Sequence, residues 1–166
     1  MALSSLSALV PRTRACPVRG MRRIGRVLTR NVSASSSAVG PSDDASSYRV
    51  LAFEDSYDIG EMLKGAEVRM GHFEQRWSSE NAVEVLKEFG RVDVLLLDFY
   101  LPPVTGLMVL EQVNEAVKIG VIQRPKHVVG MSSVSSCNSR LIREGADAGF
   151  VKWDIGTWEG WARDRP

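Results

Sequence analysis

Four apolar runs in this chain each end in a side chain able to ligate, accept or donate. "YRVLAF" (48–53) passes into Glu54 and Asp55, "VDVLLL" (92–97) into Asp98, "KHVVGM" (126–131) into Ser132 and Ser133, and "AGFV" (148–151) into Lys152. Carboxylates brought together in one place repel and raise one another's pKa unless a cation sits among them. A hard divalent ion meets that need: Mg2+ takes oxygen ligands in an octahedron and keeps several waters, so carboxylates, one backbone carbonyl and water complete a shell open to solvent. Such a shell can receive phosphoryl oxygens, whose charge the metal and a nearby Lys152 stabilise. Asp98 is then the candidate nucleophile, because a carboxylate shielded in this way can form an acyl phosphate. Ser132 offers its hydroxyl to a phosphoryl oxygen. Taken singly, the acids and serines are explained as helix caps or turn formers and the lysine as a solvated charge. The reading rests on their coincidence, since four separate strand ends supply the residue types that one metal-assisted phosphoryl site requires.

The elements that must position these residues follow from periodicity. "YRVLAF" is a short apolar strand, followed by a helical stretch from near Tyr57. "HFEQRW" (72–77) alternates as an edge strand does, and ends at Trp77 with no ionisable group. In "SSENAVEVLKEF", Ser78 or Ser79 is the expected helix N-cap, with Ala82, Val83, Leu86 and Phe89 on one face. "VDVLLL" has the near-continuous apolar character of a central parallel strand buried on both faces. Leu107, Leu110, Val113 and Val117 recur at helical spacing between Gly106 and Lys118. "KHVVGM", a helix around residues 138–144, "AGFV" and a short tail complete the chain. Five β-α repeats predict an α/β fold with a doubly wound parallel sheet and right-handed crossovers. In such a sheet ligands gather outside the carboxyl ends of the strands, which is where all the candidate residues stand.

Composition bounds the rest. The 166 residues suit one ordinary domain, and 44% hydrophobic content can fill its core. Residues 1–42 contain seven Arg, no Lys and no acid, so the other 14 basic residues face 20 acids over residues 43–166, a net of −6. A body of that charge has no footprint for nucleic acid. The Arg- and Ser-rich, acid-free segment 1–42 has the composition of an organelle transit peptide; its serines and "VSA" at 32–34 favour a chloroplast over a mitochondrion. No run approaches the roughly 20 apolar residues of a membrane span. Cys16 lies in that segment, leaving Cys137 alone in the body, without a disulfide, zinc cluster or redox pair.

The body also resembles a known family, the response-regulator receiver domain of two-component signalling, over about residues 48–156. "DFYLPPVTG" is similar to the family's phospho-acceptor stretch of Asp, two variable residues, an apolar residue, Pro, two more variable residues and Gly. "AFEDS" resembles its acidic pair, "VVGMSS" the strand ending in its switch hydroxyl, and "GADAGFVKW" the approach to its lysine. The resemblance implies a flavodoxin-like sheet of strand order 2-1-3-4-5 with a shortened last helix. It implies Asp98 as phospho-acceptor and Glu54, Asp55, Asp98 and the Tyr100 backbone carbonyl around Mg2+, Asp55 as direct ligand. Ser132 and Lys152 would bind the phosphoryl group, Ser133 being the alternative hydroxyl, and Pro102 and Gly106 would shape the loop.

The function implied is that of a stand-alone receiver over 48–163, with no catalytic domain of its own. A histidine kinase or phosphotransfer protein is the expected donor, and a downstream protein receives the signal. Two positions depart from the pattern. Trp153 follows the lysine where the family usually has Pro, often cis, and Gly149 stands where an aromatic is usual, with Phe150 next. Both support the alternative of a receiver-like scaffold that never accepts phosphate. A phosphohydrolase of the haloacid-dehalogenase type wants a second acid two residues past its nucleophile, and Tyr100 stands there. A dinucleotide domain lacks its glycine-rich loop. The short tail leaves sheet surface to be covered, and self-packing by Trp153, Trp158 and Trp161 is expected to cover it.

Overall fold

The computed structural model describes residues 48–163. The expected transit peptide over 1–42 lies outside the described residues. In chain order the elements are β1 (Tyr48–Phe53), α1 (Ile59–Gly65), β2 (Met70–Arg76), α2 (Ala82–Phe89), β3 (Val94–Leu97), α3 (Gly106–Lys118), β4 (His127–Gly130), α4 (Ser135–Arg143), β5 (Ala148–Gly149), a 3-10 segment (Lys152–Thr157) and α5 (Gly160–Arg163). The five strands are all parallel and lie in the order β2-β1-β3-β4-β5.

Strand side chains alternate between the two faces of the sheet, and each face has its own core. Leu51, Phe53, Leu95 and Leu97 point to the side covered by α2, α3 and α4, where Leu86, Phe89, Val109, Leu110, Val113, Cys137 and Leu141 meet them. Val50, Ala52, Val94, Leu96 and Val129 point to the other side, against Ile59 and Leu63 of α1. Both faces being covered, β3 carries four fully buried residues in a row and reads as an unbroken apolar run. Residues of the edge strand β2 are at most half-buried, as its alternating sequence predicts. Val92 is buried but precedes the strand, which begins two residues later than the apolar run suggests.

After β5 the chain makes a 3-10 turn and then a four-residue α5. Ile155, Trp158 and Trp161 pack into the second core. Trp158 and Trp161 stack edge to face at 5.0 Å, Trp161 meets Tyr48 at 5.3 Å, and its indole N–H donates to the Ile155 carbonyl at 2.8 Å. Trp153 does not join them. It is 55% exposed on the 3-10 turn, which corrects the expectation that all three tryptophans cover the sheet.

Two other expectations need correction. Asn81, in a left-handed conformation at φ 53°, precedes α2, and neither Ser78 nor Ser79 caps it. Ser79 is used elsewhere: its hydroxyl donates to the Val104 carbonyl at 2.7 Å and accepts the Val104 N–H at 2.9 Å, and its own N–H donates to the Pro102 carbonyl. On α3 the inward stripe is Val109, Leu110, Val113 and Ala116, with Leu107 and Val117 at its margins. Among the described residues no helix is long and apolar enough to cross a membrane.

Truncating Trp161 to alanine removes a buried aromatic and is expected to cost about 3–5 kcal/mol, whereas Trp153→Ala should stay under about 1 kcal/mol. Urea unfolding of the two variants checks the contrast.

Candidate functional site

Parallel pairing puts the ends of β1, β3 and β4 side by side, with Phe53 opposite Leu97 and Leu97 opposite Gly130. The residues that follow are therefore neighbours by register. Glu54 is fully buried and Asp98 nearly so, while Asp55 is the most open of the three acids. One carboxylate oxygen from each of Glu54, Asp55 and Asp98 lies within 4.8 Å of the others. Lys152, itself buried, reaches into the group from the end of β5. Its ammonium is 2.7 Å from Glu54 Oε2 and 3.5 Å from Asp98 Oδ2.

Charge and hydrogen bonding define what else the cluster can hold. Glu54 is well served, since its Oε1 accepts the N–H groups of Ser56 and Tyr57, each at 3.0 Å, and its Oε2, which makes no hydrogen bond of good geometry, is ion-paired with Lys152 at 2.7 Å. Asp98 is not, for its Oδ1 is buried without a hydrogen-bond partner among the described residues. Burial pushes the Asp98 carboxyl above the ordinary carboxylate range; the Lys152 ammonium pulls it down, the Glu54 charge pushes it up again, and the Phe99 N–H opposes the rise. Three carboxylates face one ammonium, so the excess of charge-bearing ligands is all oxygen. That donor set fits a hard divalent cation such as Mg2+.

The loops around the cluster are held by side chains bonded to backbone. Gln75 of β2 accepts the Ile59 N–H at 2.9 Å and donates to the carbonyls of Glu54 and Tyr57 at 3.1 and 2.7 Å, fixing the loop that carries both acids. Asp58 caps α1 by accepting the Glu61 N–H. Ser79 holds the loop containing Pro102. A Cβ on Gly106 would fall 1.9 Å from the Asp98 carbonyl oxygen, so α3 begins against the backbone of Asp98 and only glycine fits there. Sequence reasoning missed Gln75; an amide on an edge strand gives no sign of which backbone groups it will meet.

Ser132 is fully buried just past β4, whereas Ser133 is exposed. The hydroxyl of Ser132 accepts the Val134 N–H at 3.3 Å. Tyr100 is largely exposed, its hydroxyl lies 3.5 Å from the sulfur of buried Cys137, and its hydrogen bonding with Cys137 pushes the Tyr100 pKa up. Trp153 stacks edge-on against Tyr57 at 4.9 Å, and Lys152 Nζ lies 4.9 Å from the Tyr57 ring centre. The Lys152–Trp153 peptide is trans; among the described residues the cis bond is Pro102–Pro103. At Gly149 a Cβ would come within 2.9 Å of Asn138 Cβ, so α4 occupies the room an aromatic would need, and Phe150 is half-buried against the second core.

Comparison with known proteins bears on the fold. No family model and no curated protein matches the chain by sequence. Solved structures do match in shape. The chain is similar to a CheY-like receiver domain from Methylobacillus flagellatus, at 19% identity over 73% of this chain and 100% of that one, TM-score 0.57. It is similar to the phosphorylated cyanobacterial phytochrome response regulator RcpA, at 18% identity over 70% and 95%, TM-score 0.55. It is similar as well to the receiver domain of the histidine kinase CKI1 from Arabidopsis thaliana complexed with Mg2+ and BeF3−, at 18% identity over 66% and 85%, TM-score 0.53. The chain has the CheY-like receiver fold.

Two predictions follow from the charges. The folded state holds the Asp98 proton more tightly than the unfolded chain, so this residue's contribution is complete below the ordinary carboxylate pKa of about 4 and is lost as pH rises through the raised value. In EDTA at neutral pH, Asp98→Asn should therefore melt higher than the parent, with the gap closing toward pH 4 in calorimetry. Lys152→Ala strands Glu54 as a buried charge without its partner, and should cost about 3–5 kcal/mol in EDTA. Mg2+ should restore part of that loss, measured by urea unfolding with and without the ion.

Proposed function

We propose that this chain is a phospho-acceptor of two-component signalling, with Asp98 as the residue that takes the phosphoryl group. The observation that carries the reading is the Asp98 carboxylate itself. One of its oxygens is buried without a partner, beside two further acids and 3.5 Å from an ammonium. A structural cap would have its oxygens satisfied by backbone N–H groups. The receiver fold supports the same reading.

In this mechanism an oxygen of ionised Asp98 attacks the donor's phosphorus, the bond from phosphorus to the donor's leaving atom breaks, and an aspartyl phosphate forms. Glu54, Asp55, Asp98 and the Tyr100 carbonyl would hold Mg2+, which when bound offsets phosphoryl charge. Lys152 moves from Glu54 toward a phosphoryl oxygen, and the Ser132 hydroxyl donates to another. Gly106 and Pro102 keep the loop after Asp98 in place. Hydrolysis of the acyl phosphate returns the free acid. Populations of the loops after β3, β4 and β5 shift with the added charge.

The donor is proposed to be a histidine kinase or phosphotransfer protein, and the output a contact with another protein. The acid-free, Arg-rich segment 1–42 supports an organelle address, chloroplast before mitochondrion.

Incubation of the 43–166 body with acetyl phosphate and Mg2+ is expected to add one phosphoryl mass to the parent and none to Asp98→Asn or to the parent in EDTA. Equal labelling of parent and variant removes Asp98 from the role. If the parent takes no label and does not bind beryllofluoride with Mg2+, the scaffold reading replaces this one.

A further inference from the structure

Asn138 is a polar amide buried to 96% in the second turn of α4, where an apolar residue would be the ordinary choice. Burying an amide is costly unless its hydrogen bonds are made. All those it makes leave its own helix. Its Oδ1 accepts the Ser132 N–H at 2.8 Å, and its Nδ2 donates to the Ser132 carbonyl at 3.0 Å and to the Phe150 carbonyl. One side chain thus brackets Ser132 on both sides. The same side chain holds the backbone two residues before Lys152.

The packing around it is close. Gly130 and Gly149, the last residues of β4 and β5, let α4 lie directly on the strands. A Cβ on Gly149 would sit 2.9 Å from Asn138 Cβ and 3.3 Å from its carbonyl oxygen, and one on Gly130 would sit 2.8 Å from Leu141 Cδ1. The Phe150 N–H donates to the Gly130 carbonyl at 2.8 Å, closing the link between the two strand ends. Nothing in this arrangement leaves room for an aromatic side chain to swing between α4 and β5.

From this clasp we propose that Asn138 is the positioning residue that makes Ser132, the backbone leading to Lys152, and α4 move as one body. The proposal rests on the reading that Ser132 and Lys152 engage a phosphoryl group. A shift of the Ser132 backbone toward that group must either break its two hydrogen bonds to Asn138 or carry α4 along. Because the clasp is buried, breaking it would strand the Ser132 N–H and carbonyl, which favours carrying the helix. The relay in this chain therefore runs through an amide and the peptide backbone.

The test compares the parent with Asn138→Ala and Asn138→Asp in two measurements. In metal-free protein, amide hydrogen exchange of Ser132 should accelerate on the order of tenfold in Asn138→Ala, with Phe150, whose N–H is held by the Gly130 carbonyl, and residues 50–53 of β1 unchanged. Asn138→Asp keeps the acceptor for the Ser132 N–H and loses both donors, so it should restore protection at Ser132. Under titration with beryllofluoride and Mg2+, the amide resonances of Ser132 and of residues 135–143 should shift together in the parent. In Asn138→Ala, Ser132 should shift while α4 stays still. Joint shifts of Ser132 and α4 in that variant, or unaltered exchange at the Ser132 amide, would overturn the proposal. A parent that ignores beryllofluoride yet shows the exchange pattern refutes the phosphoryl reading and the relay, and leaves the clasp standing as a structural lock.

Discussion

A buried ammonium surrounded by carboxylates is the constraint on which the rest of this structure depends. Lys152 and Glu54 lie 2.7 Å apart with almost no solvent around them, and Asp98 and Asp55 stand close by. Taking charges out of water is expensive, and the pair is tolerated because Glu54 also accepts two backbone N–H groups. The compensation stops there. Asp98 remains short of partners, its proton is held more tightly than usual, and three carboxylates face a single ammonium. A site left in that condition favours any ligand that supplies cationic charge to Asp98, and resists apolar occupants.

Holding the cluster together is a task for backbone as much as for side chains. The parallel register aligns the strand ends, and the loops beyond them are tied down by polar side chains from neighbouring elements: Gln75 for the loop after β1, Ser79 for the loop after β3, Asn138 for the loops after β4 and β5. Each uses a side chain to satisfy backbone groups that lie outside the sheet ladder, which is required wherever a loop is partly buried. Glycine does the complementary work. Gly106 lets α3 start against the Asp98 carbonyl, and Gly149 lets α4 press on β5. Trp153 stays exposed, outside the core that Trp158 and Trp161 join.

Strands and helices were legible because their patterns arise from local chemistry. A strand covered on both faces must be apolar at every position, so 94–97 announced itself, and β2 at the edge alternated as an edge does. What misled was competition for a hydroxyl. Ser79 looks like a helix cap, yet its oxygen is taken by Val104, 25 residues away, and Asn81 ends up at the helix start. Trp153 reads like its two companions, and only the turn at Lys152–Thr157 decides that it faces outward. Gln75 and Asn138 carried no signal at all, because an amide says nothing about which backbone it will reach.

The sequence by itself determined the doubly wound α/β class, the near-positions of the five strands, and the acids, hydroxyl and lysine at their ends, since hydrophobic period and residue type are properties of a short stretch of chain. Tertiary structure alone decided which of two serines is buried, that Lys152 pairs more closely with Glu54 than with Asp98, and that one asparagine fastens α4 to two strand ends. Those outcomes depend on distances between residues far apart in the chain, and such distances exist only once the sheet has formed.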